Sequence, residues 1–273
     1  MRHLPGCLIA LGAMVLAPVA AQAVPSRKVE KIILPDAGSS DEIIVQALSL
    51  PRDALPVNVR WAPVDNTQVN IAYERADQFL ACAFDKASRD WLRKAVEGPP
   101  SLASTEYAQG MVIVTNWGCY PPLGSSPPWN PALAGQDILH RGILLERTLR
   151  AFAPDASLDA AQTFDPVVRA RFRKVETDHN RYRQNPEKSG FVVAACLVQT
   201  QPVLATRLFH APQGSDLVRG LEQAMLINAP ECLEGVKKLS VEPTTLRVYL
   251  IDAFYRWLLA ARNVPTLIPA SGA

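Results

Sequence analysis

The chain has 273 residues, of which 48% are apolar and 20% charged, and its 28 basic and 26 acidic side chains leave a formal net charge of +2. This composition excludes an intrinsically disordered chain, because it supplies enough apolar surface for a folded core. The near balance of charge gives no electrostatic reason to expect nucleic acid or an anionic membrane surface as a partner.

Residues 1–23 predict a signal peptide. A short basic start precedes an apolar run, Cys7–Leu16, which is too short to span a bilayer, and the small residues Ala21 and Ala23 suit a signal peptidase. Cleavage after Ala23 leaves 273 − 23 = 250 residues. We therefore expect a periplasmic or secreted protein with no transmembrane anchor in the mature chain.

Four cysteines follow the signal peptide: Cys82, Cys119, Cys196 and Cys232. An even number in an exported chain indicates disulfides, and four cysteines allow three connectivities. The spacing is 37 positions within the first pair and 36 within the second, and no Cys-x-x-Cys is present. Pairing within each half, Cys82–Cys119 and Cys196–Cys232, is the most economical connectivity.

A charged pattern follows each cysteine pair, as "RGILLERTLR" (Arg141–Arg150) and "RVYLIDAFYR" (Arg247–Arg256). It begins 22 positions after the first pair and 15 after the second, and the excess of seven falls in a proline-rich loop, residues 120–131. The shared order of two cysteines and one charged pattern indicates a tandem duplication. Coincidence between two alanine-rich helical segments is the alternative.

The apolar periodicity predicts a mainly α-helical fold of two pseudo-repeats, each with about four helices and one disulfide. The predicted organisation is the signal peptide 1–23, a proline-containing segment 24–63, repeat 64–153, a partly helical linker 154–187, repeat 188–263 and a disordered tail 264–273. After the first helix of repeat 64–153, the predicted helices are Arg89–Glu97, Ser104–Asn116, the helix carrying Arg141–Arg150, Lys188–Thr200, Pro202–His210, Ser215–Asn228 and Pro243–Arg262. The β-branched run in Ser104–Asn116 also suits a strand.

The sequence contains no recognisable catalytic or cofactor motif. His140, His179 and His210 are far apart, which argues against a metal site, and no nucleophile elbow or glycine-rich phosphate loop is present. The cysteines are assigned to disulfides and not to catalysis. We therefore assign no catalytic residue, no metal ligand and no cofactor.

The paired charges of the motif favour a structural role. Glu146 and Arg150, like Asp252 and Arg256, stand in the favourable acid-first order for an ion pair four residues apart on a helix. An arginine that caps the carbonyls of a neighbouring helix is a second structural interpretation. A hydrolase with these two acids facing one cleft is the catalytic alternative.

The candidate binding residues are Trp117, Tyr120 and Trp129, in the aromatic and proline-rich stretch Asn116–Pro131. Aromatic side chains among prolines make a semi-rigid apolar surface that suits a protein partner. The alternative is a loop that covers the core. The basic stretch Arg169–Pro186 suits acidic envelope components or, alternatively, a solvated helix face.

The stretch "VAACLVQTQPVLATRLF" (Val193–Phe209), the second cysteine and "LRVYLIDAFYR" (Leu246–Arg256) together resemble uncharacterised exported helical proteins of alphaproteobacteria. The resemblance is best over residues 193–259 and weaker over 79–152, and Asp252 stands where that group more usually has Glu. The group has no assigned activity, so the resemblance implies no catalytic residue. The expected function is a non-enzymatic envelope interaction module with an exported protein partner. A hydrolase with a site between the repeats and a small-molecule carrier are the alternatives.

Overall fold

The computed structural model describes residues 59–61, 67–120, 135–234 and 239–270, all of which belong to one contact unit, Leu34–Ala273. The predicted signal peptide, most of segment 24–63 and Trp129 lie outside the described residues.

The fold is mainly helical, as predicted, with ten α-helices in the described part of the chain. The elements in chain order are β1 (Val59–Trp61), α1 (Thr67–Lys86), α2 (Arg89–Glu97), α3 (Ala103–Thr115), a 3-10 helix (Trp117–Cys119), α4 (Ile138–Phe152), α5 (Ala160–Phe164), α6 (Pro166–His179), α7 (Asn185–Thr200), α8 (Pro202–His210), α9 (Asp216–Asn228), a second 3-10 helix (Pro230–Leu233), β2 (Leu239–Val241) and α10 (Pro243–Arg262). The two short strands pair in parallel, with Val59 opposite Leu239.

Local signals in the sequence set several helix starts. Ser88 caps α2 by accepting a hydrogen bond from the backbone N–H of Asp90 at 3.3 Å, and Pro202 opens α8. Glu242 caps α10 by accepting from the backbone N–H of Thr245 at 2.7 Å. The predicted bounds of α2, α8 and α10 are confirmed.

The segment that suited either a helix or a strand is the helix α3. Its β-branched Val112 and Ile113 are 1% and 2% exposed and lie in the common core. Burial of these side chains outweighs their weak intrinsic preference for strands, because packing supplies most of a helix's stability in a protein.

The second and third helices of the two halves have equal lengths. Helix α8 begins and ends 113 positions after α2 begins and ends (202 − 89). Helix α9 follows α3 by the same number of positions (216 − 103). The turns between them each contain a residue with positive φ, Ser101 at 58° and Gly214 at 79°, again 113 positions apart.

Helices α4 and α10 cross closely at the centre of the molecule. A Cβ atom on Gly142 of α4 would lie 2.5 Å from Cγ2 of Val248 on α10, so the crossing requires glycine. Helix α10 is largely enclosed, and its Leu250, Ala253 and Trp257 are at most 2% exposed.

The predicted cysteine pairing is confirmed, because both pairs lie at disulfide distance. The sulfur atoms of Cys82 and Cys119 are 2.07 Å apart, and those of Cys196 and Cys232 are 2.03 Å apart. Each bond joins the first helix of a half, α1 or α7, to the 3-10 helix that follows the third.

The C-terminal segment 264–270, which lay in the predicted disordered tail, packs against the first half. Ile268 is 1% exposed and belongs to the core. Arg93 of α2 donates hydrogen bonds to the carbonyl oxygens of Ile268 at 3.0 Å and Pro269 at 2.7 Å. Burial of one large apolar side chain and two charge-assisted hydrogen bonds hold this segment in place.

Candidate binding site

The first arginine of the charged motif on α4 caps a neighbouring helix. Arg141 donates from Nη1 to the carbonyl oxygen of Ala95 at 2.7 Å and from Nη2 to that of Gly98 at 3.2 Å. Both acceptors lie at the C-terminal end of α2, where the last carbonyl groups of a helix lack partners within it. The interpretation of the motif as a capping arginine is confirmed here.

Arg247, the first arginine of the second motif, makes the same contacts in its own half. It donates to the carbonyl oxygens of Leu208 at 2.8 Å and Ala211 at 3.0 Å, at the C-terminal end of α8. These acceptors follow Ala95 and Gly98 by 113 positions (208 − 95 and 211 − 98).

The two motifs also contact each other. The guanidinium of Arg247 lies 3.0 Å from the Glu146 carboxylate, and that of Arg141 lies 4.0 Å from the Asp252 carboxylate. The acid of each motif therefore lies against the first arginine of the other, and α4 and α10 run antiparallel where they cross.

Glu146 is a buried carboxylate with three hydrogen-bond partners. It accepts from Arg150 at 2.6 Å, from Arg247 at 3.0 Å and from the Tyr73 hydroxyl at 3.2 Å. Burial by itself raises the pKa of Glu146, but the charges and hydrogen bonds of Arg247 and Arg150 outweigh it and hold the pKa below its usual range. Glu146 is therefore ionised and fully engaged.

Asp252 lies in a second cluster that is richer in arginine. Arg183 is 3.0 Å from its carboxylate and Arg256 is 3.2 Å from it, and the side chains of all three are at most 7% exposed. Burial alone raises the pKa of Asp252, but Arg141, Arg256 and Arg183 together lower it far below its usual range. Neither Asp252 nor Glu146 is available as a proton donor for hydrolysis.

Arg183 connects this cluster to the linker between the halves. Its side chain is fully buried, it donates to Glu176 at 2.8 Å, and its guanidinium lies 3.4 Å above the ring of Phe191. The interpretation of residues 169–186 as a solvated basic face is wrong for Arg183, because this arginine turns inward to pair with two buried acids.

A pocket of about 350 Å³ lies beside the Asp252 cluster, between α6, α10 and the C-terminal segment. Its lining residues are Glu97, Arg171, Phe172, Lys174, Val175, Glu176, His179, Arg256, Leu259, Ala260, Asn263, Val264 and Pro265. We call it the α6–α10 pocket. Its volume is in the range of small-molecule sites.

The floor of the α6–α10 pocket is charged but internally paired. Oε1 of Glu176 lies 3.2 Å from Nδ1 of His179 and 3.7 Å from Nε of Arg256, and Arg256 also lies 3.4 Å from Glu97. Burial raises the pKa of Glu176, but the close contact with His179 and the charges of Arg256 and Arg183 outweigh it and lower the pKa. The charges of the floor are therefore paired with one another.

The wall and rim of the pocket combine apolar surface with two available cations. Phe172 stacks on Trp257 with ring centroids 4.1 Å apart, and Val175 is 48% exposed. Among the described residues, no acid lies within 4.0 Å of the cationic groups of Arg171 and Lys174. Arg171 donates a 3.3 Å hydrogen bond to the carbonyl oxygen of Ala260.

The predicted binding residues lie elsewhere. The ring of Tyr120 stacks on the buried Phe79 at 4.0 Å, and its hydroxyl is 3.0 Å from Nε2 of His140. Trp117 packs on Tyr120 with ring centroids 4.5 Å apart. Both aromatic side chains are half-buried over the core, and Trp129 lies outside the described residues.

Glu222 on α9 is a buried acid in a different situation. It is 0% exposed, and neither carboxylate oxygen has a hydrogen-bond partner among the described residues. Burial raises the pKa of Glu222 well above its usual value, and the repulsion of Glu242 adds to it, whereas Arg247 and Arg219 only partly oppose the rise.

The residues that form the α6–α10 pocket were missed by the sequence analysis. Glu176 and His179 stand three positions apart, on one face of a helix, within a stretch that also carries Arg171 and Lys174. The spacing of Glu176 and His179 was the one signal for this site in the sequence. It did not indicate which face of α6 turns inward, because that face is covered by α10, which comes much later in the chain.

Comparisons with protein-family models, curated proteins and solved structures found no match to this chain. Within the described residues, no group of three or more His, Cys, Asp or Glu side chains is arranged to hold a metal ion. No single described helix has the length and hydropathy needed to cross a bilayer. Helices α7 and α8 pass that test only as a pair, and the chain bends by 107° between them.

Proposed function

We propose that this protein is a non-enzymatic exported binding module and that its binding surface is the α6–α10 pocket. The proposal rests on how the charged side chains are distributed in this pocket. The acids of the floor are committed to ion pairs that brace helix ends, while an apolar wall and two cations that have no acidic partner among the described residues face the opening. Such a combination holds a ligand in a fixed orientation without supplying a reacting group.

Export is part of this proposal. Two cysteine pairs at disulfide distance suit an oxidising compartment, which is where disulfides form and persist. The signal peptide 1–23 and the kinship with exported alphaproteobacterial proteins are proposed on the residues given above.

A duplicated origin of the two halves is also proposed. It is supported by the constant shift of 113 positions between α2 and α8, by the equivalent caps made by Arg141 and Arg247, and by the reciprocal pairs of their acids. A sequence profile built from relatives over residues 64–153 should align with residues 188–263 at that shift. Profiles that align at no consistent shift would contradict the duplication.

The binding proposal is tested by capture from envelope and secreted fractions. Immobilised wild-type protein is compared with Val175→Trp, which fills the opening of the α6–α10 pocket without changing its charge, and with Trp129→Ala in the proline-rich loop. Bound proteins and small molecules are identified by mass spectrometry. We expect Val175→Trp to lose the bound component and Trp129→Ala to keep it. If Val175→Trp retains everything that the wild type retains, the pocket is not the binding surface.

An enzyme is the second candidate, and the Glu176–His179 pair favours it. A carboxylate beside Nδ1 orients a histidine so that Nε2 acts as a general base on water. Hydrolysis of a panel of aryl esters by the wild type and by His179→Gln tests this activity. Equal rates in both proteins would exclude His179 as the base.

A further inference from the structure

The lining of the α6–α10 pocket carries a small net positive charge. Three cations, Arg171, Lys174 and Arg256, line it together with two carboxylates, Glu97 and Glu176. The lining therefore carries one more positive than negative charge when His179 is neutral. A ligand with a single negative charge balances this excess, whereas a dianion would face the two carboxylates of the floor without compensation.

The positions of the charges set how such a ligand would lie. Arg256 is buried and already bonded to Asp252, to Glu97 and to the carbonyl oxygen of Val96 at 2.7 Å. Arg171 and Lys174 stand three positions apart on one face of α6, at the rim, and neither has an acidic partner within the described chain. The free positive charge is therefore at the opening, and the anionic end of the ligand belongs there.

The apolar part of the lining lies next to these cations. The apolar residues of the wall include Phe172, Val175, Leu259, Val264 and Pro265. Burial of apolar ligand surface against them favours binding in proportion to the area removed from water. An apolar body next to a single anionic head matches both halves of the site.

We propose that the α6–α10 pocket binds a small amphipathic monocarboxylate, with the carboxylate held by Arg171 and Lys174 at the rim and the apolar body packed on Phe172 and Val175. This inference rests on the proposed binding function and names its ligand class. Because carboxylate–guanidinium contacts at a half-exposed rim are modest, the apolar contacts supply most of the affinity and the cations supply the selectivity for charge.

Decanoate is the probe, measured by isothermal titration on the mature full-length protein below the concentration at which decanoate forms micelles. Decyltrimethylammonium carries the same length of apolar chain with the opposite charge, and acetate carries the carboxylate alone. We expect saturable one-site binding of decanoate, binding of the cation at least about 10-fold weaker, and no measurable binding of acetate.

Two variants locate the site. Arg171→Gln combined with Lys174→Gln should weaken decanoate binding about 5- to 20-fold, because two partly exposed charge contacts to the carboxylate are lost. Arg173→Gln is the matched control: Arg173 lies on the same helix, is exposed, and does not line the pocket. It should change the affinity less than about 2-fold.

Three results would overturn the inference: no saturable binding of decanoate, equal binding of the two amphiphiles, or equal weakening by Arg173→Gln and by the double variant. If decanoate fails while Val175→Trp still loses a component captured from the envelope or secreted fraction, the ligand class is wrong and the binding function stands. If that capture also fails, the proposed function is wrong as well.

Discussion

The replacement of Glu222 by glutamine should stabilise this protein. Under the proposed duplication, the position that corresponds to Glu222 is Gln109 on α3, 113 residues earlier, which is 2% exposed. Its Nε2 donates a hydrogen bond to the carbonyl oxygen of Asp137, the residue that caps α4, at 2.8 Å. Glutamine at position 222 should donate in the same way to the carbonyl oxygen of Glu242, which caps α10.

The expected magnitude follows from the missing hydrogen bonds. A buried polar group without a partner costs about 1–3 kcal/mol, and a new hydrogen bond contributes about 1 kcal/mol. Glu222→Gln should therefore raise the free energy of unfolding by about 1–3 kcal/mol near pH 8. In a domain of this size that corresponds to an increase in Tm of roughly 2–4 °C for each kcal/mol.

The gain should depend on pH in a definite direction. Because the folded-state pKa of Glu222 is raised, the folded protein retains a proton that the unfolded chain loses near its ordinary pKa of about 4.3. The contribution of Glu222 to the free energy of unfolding is thus fully present below a pH of that value. It is lost as the pH rises through the folded-state pKa. Glutamine does not titrate, so the advantage of the variant should widen from about pH 4 upward.

Urea unfolding followed by far-ultraviolet circular dichroism at about pH 5 and about pH 8 measures both effects. The matched control is Gln109→Glu, which should lose the hydrogen bond to Asp137 and destabilise the protein by about 1–3 kcal/mol. The reasoning is refuted if Glu222→Gln is no more stable than the wild type at the higher pH, or if its advantage shrinks as the pH rises.

Three further predictions concern the crossing of α4 and α10. Arg247→Met should destabilise the protein by about 3–5 kcal/mol in urea unfolding, because Glu146 stays buried without its main partner; a loss below about 1 kcal/mol would contradict this. Asp252→Asn should be less stable than the wild type at neutral pH. That difference should shrink in acid titrations below about pH 4, because a carboxylate with a lowered folded-state pKa loses its contribution as the pH falls through that pKa. Gly142→Ala should lower Tm measurably, since the added methyl group meets Val248 at 2.5 Å, and an unchanged Tm would show that the helices separate at little cost.

The charged motif shows what a pattern along the chain indicates and what it leaves open. The pairs Glu146–Arg150 and Asp252–Arg256 are present, at 2.6 Å and 3.2 Å, as their spacing of four residues predicts. Their surroundings differ. The side chain of Arg150 is 51% exposed, whereas that of Arg256 is 2% exposed and reaches the end of α2. Identical spacing therefore gives one half-exposed pair and one buried network.

Composition did not indicate where a pocket would lie. The predicted binding residues Trp117 and Tyr120 cover the core beside the first cysteine pair. For the basic linker, composition suited either contact with acidic components or a solvated helix face, and its helix α6 supplies Arg171 and Lys174 to the lining of the pocket. Exposure depends on which surface a neighbouring element covers, and composition does not contain that information.

The sequence by itself determined the helical class and most helix bounds, and among three cysteine connectivities it favoured the observed one. Those features depend on local signals, such as Ser88 and Pro202 at helix starts, and on regular spacing between cysteines. Only the tertiary structure decided which charges are buried and where a pocket forms. Its contacts join Arg183 to Asp252, 69 positions apart, and Arg256 to Val96, 160 positions apart. Such partners are brought together by helix packing, which no short stretch of the chain specifies.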